Sequence, residues 1–369
     1  MPTRTDPFAA DYFQARERFR QAAEAHNARL ETHAIAARGP NDEELTLDAA
    51  LFGSDSPRQT VVVSSGVHGV EGFFGSAVQV AALQRLESLA DLSRDTRLVL
   101  LHAVNPYGFA FRRRWNEDNV DVNRNLLREG EVFAGSPPLY GALDPLLNPK
   151  SPPGRFDGFL PKAGLALARY GWRGLAETLP VGQYAFPQGL FYGGAEPSES
   201  NRILSRRFES WLGGAKDVVH IDFHTGLGKH GDYELYLPHT AGSAEAQWFE
   251  KHFDAARVAA VPVGKEGEEP AGYPTRGSFD QWCVARFSDR NYKFACAEFG
   301  TYPTIAVVAA LRAENRAHHW GAADADYEWT KQRLVEVFSP RSTAWREKVV
   351  NKGLEIVEQA LVSHADCVS

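Results

Sequence analysis

Three cysteines in 369 residues leave little room for cysteine chemistry. Cys283, Cys296 and Cys367 are scattered, odd in number and form no Cys-x-x-Cys pair, which excludes a disulfide framework and a cysteine-ligated zinc site. A metal would have to be held by the 12 histidines and the carboxylates. An excess of positive charge is missing too: 40 basic against 47 acidic side chains give a net charge of -7, which argues against a nucleic-acid-binding surface. No stretch approaches the roughly 18 to 20 apolar residues of a membrane span. The first twenty residues are charged throughout, without the apolar centre of a signal peptide. The expectation is a cytoplasmic protein with no nucleic-acid and no membrane partner, its oligomeric state open.

What is present suits a globular core: 43% hydrophobic and 24% charged residues on a chain long enough for one large or two ordinary domains. Residues 7–29 read as a helix capped by Asp6, with Pro7 at its first position. Extended segments follow at 31–37 and 44–52. Apolar runs at 60–64, 97–101, 217–223 and 292–297 read as buried strands. Helical spacing marks 73–89, 243–256, 278–287, 303–320 and 345–362. This alternation predicts an α/β fold with a mixed, largely parallel twisted sheet flanked by helices, as a single domain over 1–369. Residues 129–200 interrupt it with a Pro/Gly-rich insertion, read either as a linker or as a lid. Its aromatics (Tyr140, Phe156, Trp172, Tyr184, Phe191, Tyr192) favour a packed lid over the site.

Four segments carry chemistry-bearing side chains. Ser65-Gly66-Val67-His68-Gly69-Val70-Glu71-Gly72 follows the first buried strand and sets a histidine and a glutamate within one turn, a metal-ligand spacing that a loop histidine and a helix-cap glutamate would also satisfy. In His220-Ile221-Asp222-Phe223-His224-Thr225-Gly226, the period of two places His220, Asp222 and His224 on one face, with His224 at the rim. His68, Glu71 and His224 together make a two-histidine, one-carboxylate set suited to catalytic zinc. Glu298 ends an apolar strand, where burial raises a carboxylate toward the range of a general base; a helix cap ahead of Pro303 is the other reading. Arg112-Arg113-Arg114 and Val120-Asp121-Val122-Asn123-Arg124-Asn125 form a basic segment, either a solvated face or a planar fork for a carboxylate.

The order of these motifs, with Asn-Pro-x-Gly-Phe-Ala-Phe between them and Gly-Ser-x-Asp before the strand-end glutamate, resembles the zinc carboxypeptidases. The Asp-x-His-Thr-Gly-x-Gly form around His224 is closer to the succinylglutamate desuccinylase and aspartoacylase branch, and the chain resembles an uncharacterised bacterial subfamily between the two. The resemblance implies one Zn2+ per chain on His68, Glu71 and His224, with Asp121 and Asp222 behind the ligands. It implies Glu298 as the proton-transferring base and Arg114 as the oxyanion-stabilising residue, with Arg113 the near alternative. Asn123 and Arg124 would hold a substrate carboxylate, Tyr273 would cap the substrate, and Phe279 would occupy the side-chain-selecting position. The implied activity is a metallocarboxypeptidase acting on a small peptide, or a deacylase acting on an acyl amino acid with a free carboxylate. A catalytically silent binding protein is the reading from another class.

Other features are expected to be ordinary. His318 and His319 are read on a solvated helix face with Arg312, Glu314 and Arg316; His230 and His239 as structural or surface residues; Cys296 as a buried small hydrophobe; and 264–269 as a charged loop.

Overall fold

In the computed structural model the described residues are 6–85, 95–154, 157–261, 275–321 and 327–362. Among them, eight strands form one sheet: β1 (Arg29–Arg38), β2 (Glu44–Gly53), β3 (Gln59–Ser65), β4 (Thr96–His102), β5 (Asp217–His230), β6 (Tyr233–Thr240), β7 (Val258–Val261) and β8 (Asn291–Gly300). Their order is β1-β2-β4-β3-β5-β8-β6-β7. The central β4-β3-β5-β8 block is parallel, as is β6–β7, while β1–β2, β2–β4 and β6–β8 are antiparallel. The sheet is therefore mixed and largely parallel. Its central strands are covered on both sides, which is why they read as unbroken apolar runs.

The helices among the described residues are α1 (Tyr12–Ala25), α2 (Gly72–Arg85), α3 (Pro106–Ala110), α4 (Tyr140–Leu147), α5 (Phe159–Ala176), α6 (Glu199–Leu212), α7 (Ala244–His252), α8 (Phe279–Arg286), α9 (Thr304–Trp320), α10 (Glu328–Phe338) and α11 (Thr343–Val362). Alternation along β5 separates two cores. Val219, Ile221 and Phe223 pack with Phe74 and Val78 of α2 and Trp345 and Leu354 of α11. Val218 packs on the other face with Phe208 and Trp211 of α6 and Phe279 and Trp282 of α8. Each fully buried Leu or Phe contributes on the order of 2 kcal/mol, so these cores fix the sheet that carries the site.

Two expectations are corrected, and the secondary structure of the insertion is added. The first helix is shorter than 7–29 and starts at Tyr12, because Asp11 rather than Asp6 accepts the capping bond from Gln14 N at 2.8 Å. Asp6 instead accepts from Phe8 N in a local turn. The stretch 129–200, read as a linker or, with its aromatics favouring it, as a packed lid, holds α4, α5 and the start of α6. Arg312, Glu314 and Arg316 do not lie on a solvated face. They are buried, because that stretch covers α9: Arg312 donates to Leu146 O, Arg316 to Ser151 O, and both pair with Asp157. The end of the expected 73–89 helix, the loop 264–269, Phe156 and Cys367 lie outside the described residues.

Candidate active site

The chain runs from β3 through α2 to β4 on one side of β3, then places β5 on the other side. Ligands in open α/β sheets bind at such a reversal, beyond the carboxyl ends of the strands. The strand-end motifs meet there. β3 exits into a tight turn carrying His68 and Glu71, and a Cβ at Gly69 would stand 2.1 Å from the Gly108 backbone, so only glycine fits that crossing. The same turn is tied to the arginine loop: Gly69 N donates to Arg114 O at 3.1 Å and Val70 N to Arg113 O at 2.7 Å. In the β5–β8 ladder, His224 is the direct register partner of Glu298.

His68, Glu71 and His224 are all buried, with ligand atoms within 4.8 Å of one another. Glu71 divides its oxygens between the two imidazoles, His68 Nδ1 at 2.9 Å from Oε1 and His224 Nδ1 at 3.0 Å from Oε2. The opposite ring nitrogens meet carboxylates: His224 Nε2 lies 2.6 Å from Asp222 Oδ2, and His68 Nε2 lies 3.2 Å from Asp121 Oδ1. Two Nδ1 atoms beside one carboxylate, with Asp222 behind His224 and both Arg114 and Asp121 behind His68, form a candidate donor set for a divalent cation. Although burial works the other way, Asp222 and Glu71 raise His224 well above its ordinary pKa. Although burial raises Glu71, the two histidines hold it far below the carboxylate range. The same atoms therefore bind protons or a cation in competition.

Glu298 stands beside this cluster. Its Oε1 accepts from Leu227 N at 2.8 Å, and burial, followed by the charge of Glu71, pushes its pKa up to about 7. It is no helix cap, since α9 begins at Thr304 without a side-chain cap. Arg114 lies against the cluster, with Nη2 2.7 Å from His68 Nε2, Nε 2.9 Å from Asp121 Oδ2 and Nη1 3.4 Å from Glu71 Oε1. Arg113 points away, into a buried pair with Glu314 at 2.9 Å. Of the two arginines, Arg114 alone reaches the cluster. Asn123 Oδ1 accepts from Phe279 N at 2.8 Å, and its amide nitrogen has no hydrogen bond among the described residues. Arg124 is buried and donates to Pro180 O and Asn123 O.

The structure places the Phe279 side chain away from any accessible surface, at 0% exposure, between Phe208, His220 and Phe294. It reaches the site only through its backbone N–H. Tyr273 lies outside the described residues. His220 is structural: Ser64 and Tyr292 occupy its two nitrogens, and burial pushes its pKa down to about 3. His230 bonds Thr301 O and His239 accepts from Phe294 N, so both are structural. Cys296 is half-buried beside His224 and Glu298, and burial, then Glu298, keeps its thiol protonated.

Sequence reasoning favoured a packed lid but missed which site residues the insertion touches. The Phe191 ring lies 5.5 Å from the Arg114 guanidinium, Tyr192 O accepts from Asp121 N at 2.7 Å, and Tyr184 OH donates to Arg124 O at 2.7 Å. Its density of aromatics was the available signal, but no spacing ties those residues to arginines some sixty positions earlier. Ser64, which donates to Asp222 at 2.6 Å, was hidden in an apolar strand.

No curated protein matches the chain. Among solved structures it is similar to a candidate metallopeptidase of Shewanella amazonensis, at 17% identity and TM-score 0.42, over 90% of this chain and 94% of that one. It is similar to carboxypeptidase A of Helicoverpa armigera, at 10% identity and TM-score 0.47, over 90% and 74%. It is also similar to an aspartoacylase family protein of Mesorhizobium loti, at 17% identity and TM-score 0.35, over 79% and 67%. The family model described as a protein of unknown function, DUF2817, matches residues 8–352, and the chain belongs to that family.

Proposed function

We propose that the protein is a zinc-dependent hydrolase that cleaves an amide bond next to a free carboxylate, in the manner of a metallocarboxypeptidase. The observation that carries this reading is the convergence of the His68 and His224 Nδ1 atoms on Glu71, with Glu298 as the adjacent strand partner. Zinc held by His68, Glu71 and His224 would supply Lewis acidity and lower the pKa of a water toward 7. Glu298, with its pKa near 7, takes the proton of the attacking water and returns it to the leaving nitrogen. Arg114 faces the carbonyl oxygen as it gains charge, a role worth roughly 3 to 4 kcal/mol per donor. A histidine that ligates through Nδ1 carries its proton on Nε2; Asp222 accepts that of His224 and fixes its ring, while His68 Nε2 lies between Arg114 Nη2 at 2.7 Å and Asp121 Oδ1 at 3.2 Å.

Asn123 and Arg124 take the substrate carboxylate, with the Asn123 amide nitrogen left for it by Phe279 N. The insertion acts as a lid by holding Arg114, Asp121 and Arg124 through Phe191, Tyr192 and Tyr184. The Asp222–His224 contact within the Asp-x-His-Thr-Gly segment favours, as a second reading, deacylation of an N-acyl amino acid by the same residues. A screen of dipeptides and N-acyl amino acids, with and without chelator, separates them by the leaving group released. Chelator-sensitive hydrolysis is expected. Binding without turnover of any member would favour a catalytically silent binding protein.

A further inference from the structure

Helix α5, within the insertion, is apolar on both sides. Inward, Ala166 and Tyr170 pack against the cluster of Tyr140, Leu143 and Leu311. Outward, Leu160, Leu165 and Leu167 are 63%, 71% and 44% exposed, and past a kink at Gly171, Trp172 is 67% exposed. A helix on the surface of a soluble monomer turns charge to the solvent, and a clustered exposed apolar face marks a contact site. The charged residues of α5 are Lys162, Arg169 and Arg173, all exposed, and the helix contains no Asp or Glu. Arg173 pairs with Glu177 just beyond the helix, while Lys162 and Arg169 have no ion pair among the described residues. On a chain of net charge -7 this is a local reversal of sign.

The sign decides the occupant. A second copy seated on this face by a two-fold axis would set two basic helices against each other. Anionic lipid headgroups would instead neutralise the cations while the leucines enter the acyl boundary, and an indole such as Trp172 suits that interface. We propose that α5 seats the protein reversibly on an anionic lipid surface. Among the described residues no helix is long and apolar enough to cross a membrane, so the contact proposed is with one lipid face, and it departs from the expectation of no membrane partner.

The test is sedimentation of the full chain with vesicles of phosphatidylcholine alone or mixed with phosphatidylglycerol, at low and high salt. Binding is expected with phosphatidylglycerol, weakened by salt, and about tenfold weaker in a Leu165→Glu/Trp172→Glu variant. An unchanged thermal midpoint establishes that this variant folds. Lys162→Glu/Arg169→Glu, which leaves the apolar face intact, should also lose phosphatidylglycerol binding. Absent binding, or equal binding by wild type and both variants, would overturn the proposal. So would a dimer in light scattering that Leu165→Glu/Trp172→Glu dissolves, which would make the face an interface between copies.

Discussion

Glu298 sits at the end of β8 as the strand partner of His224, and burial, followed by the charge of Glu71, lifts its pKa to about 7 while Leu227 N holds one oxygen in place. A carboxylate so placed is poised to exchange protons at neutral pH. Glu298→Gln keeps the shape and the bond from Leu227 N but removes the base. It should retain the metal and lose about 100- to 10,000-fold in kcat, read by single-turnover hydrolysis beside metal analysis. At this scale much was legible. One-turn spacing gave His68 and Glu71, and a period of two put His220, Asp222 and His224 on one face. Position separates that pair, since His220 lies deeper, with Ser64 and Tyr292 on its two nitrogens, while His224 stands beside Glu71. Phe279 was misplaced because a motif fixes sequence position, not which way a side chain turns.

Among elements, the sheet was legible, but the helices of the insertion and what they pack on were not. Strands β3, β4, β5 and β8 announce themselves by apolar runs, but α4 and α5 are built on α9, more than a hundred residues away. The polar residues of α9 read as solvent-facing because nothing local signals what covers them. Two consequences are measurable. Glu314, buried with Arg113 and Lys331, leaves Arg113 uncompensated when neutralised. Glu314→Gln should lower stability by about 3–5 kcal/mol in urea unfolding. Phe191 carries a left-handed backbone (φ 59°), a strain of roughly 1–2 kcal/mol that is retained where its ring covers Arg114. If that contact orients Arg114, Phe191→Ala should lower kcat about two- to thirtyfold with KM little changed. An equal change in KM would assign Phe191 to substrate binding instead.

The molecule as a whole joins a rigid double-sided core to a site whose polar groups are buried with it. Among the described residues no helix is long and apolar enough to cross a membrane. Burial also gives the fold a pH dependence apart from catalysis. His102 and His220 are fully buried, and burial lowers them to about 4 and about 3. Their folded pKa values lie below the unfolded value of about 6.5, so the stability they permit is complete above that value and lost as pH falls toward 4 and 3. Between pH 6 and 4.5 each should steepen the loss of stability by about 1.4 kcal/mol per pH unit, and His102→Gln should remove about one such increment in urea titrations. The central claim is that His68, Glu71 and His224 form a catalytic zinc site. The most direct measurement is a zinc titration of chelator-stripped protein, with hydrolysis followed in parallel. One ion per chain, restored activity at that stoichiometry, and loss of both in His224→Ala are predicted. Absent zinc binding, or binding and turnover that His224→Ala leaves unchanged, would contradict the account.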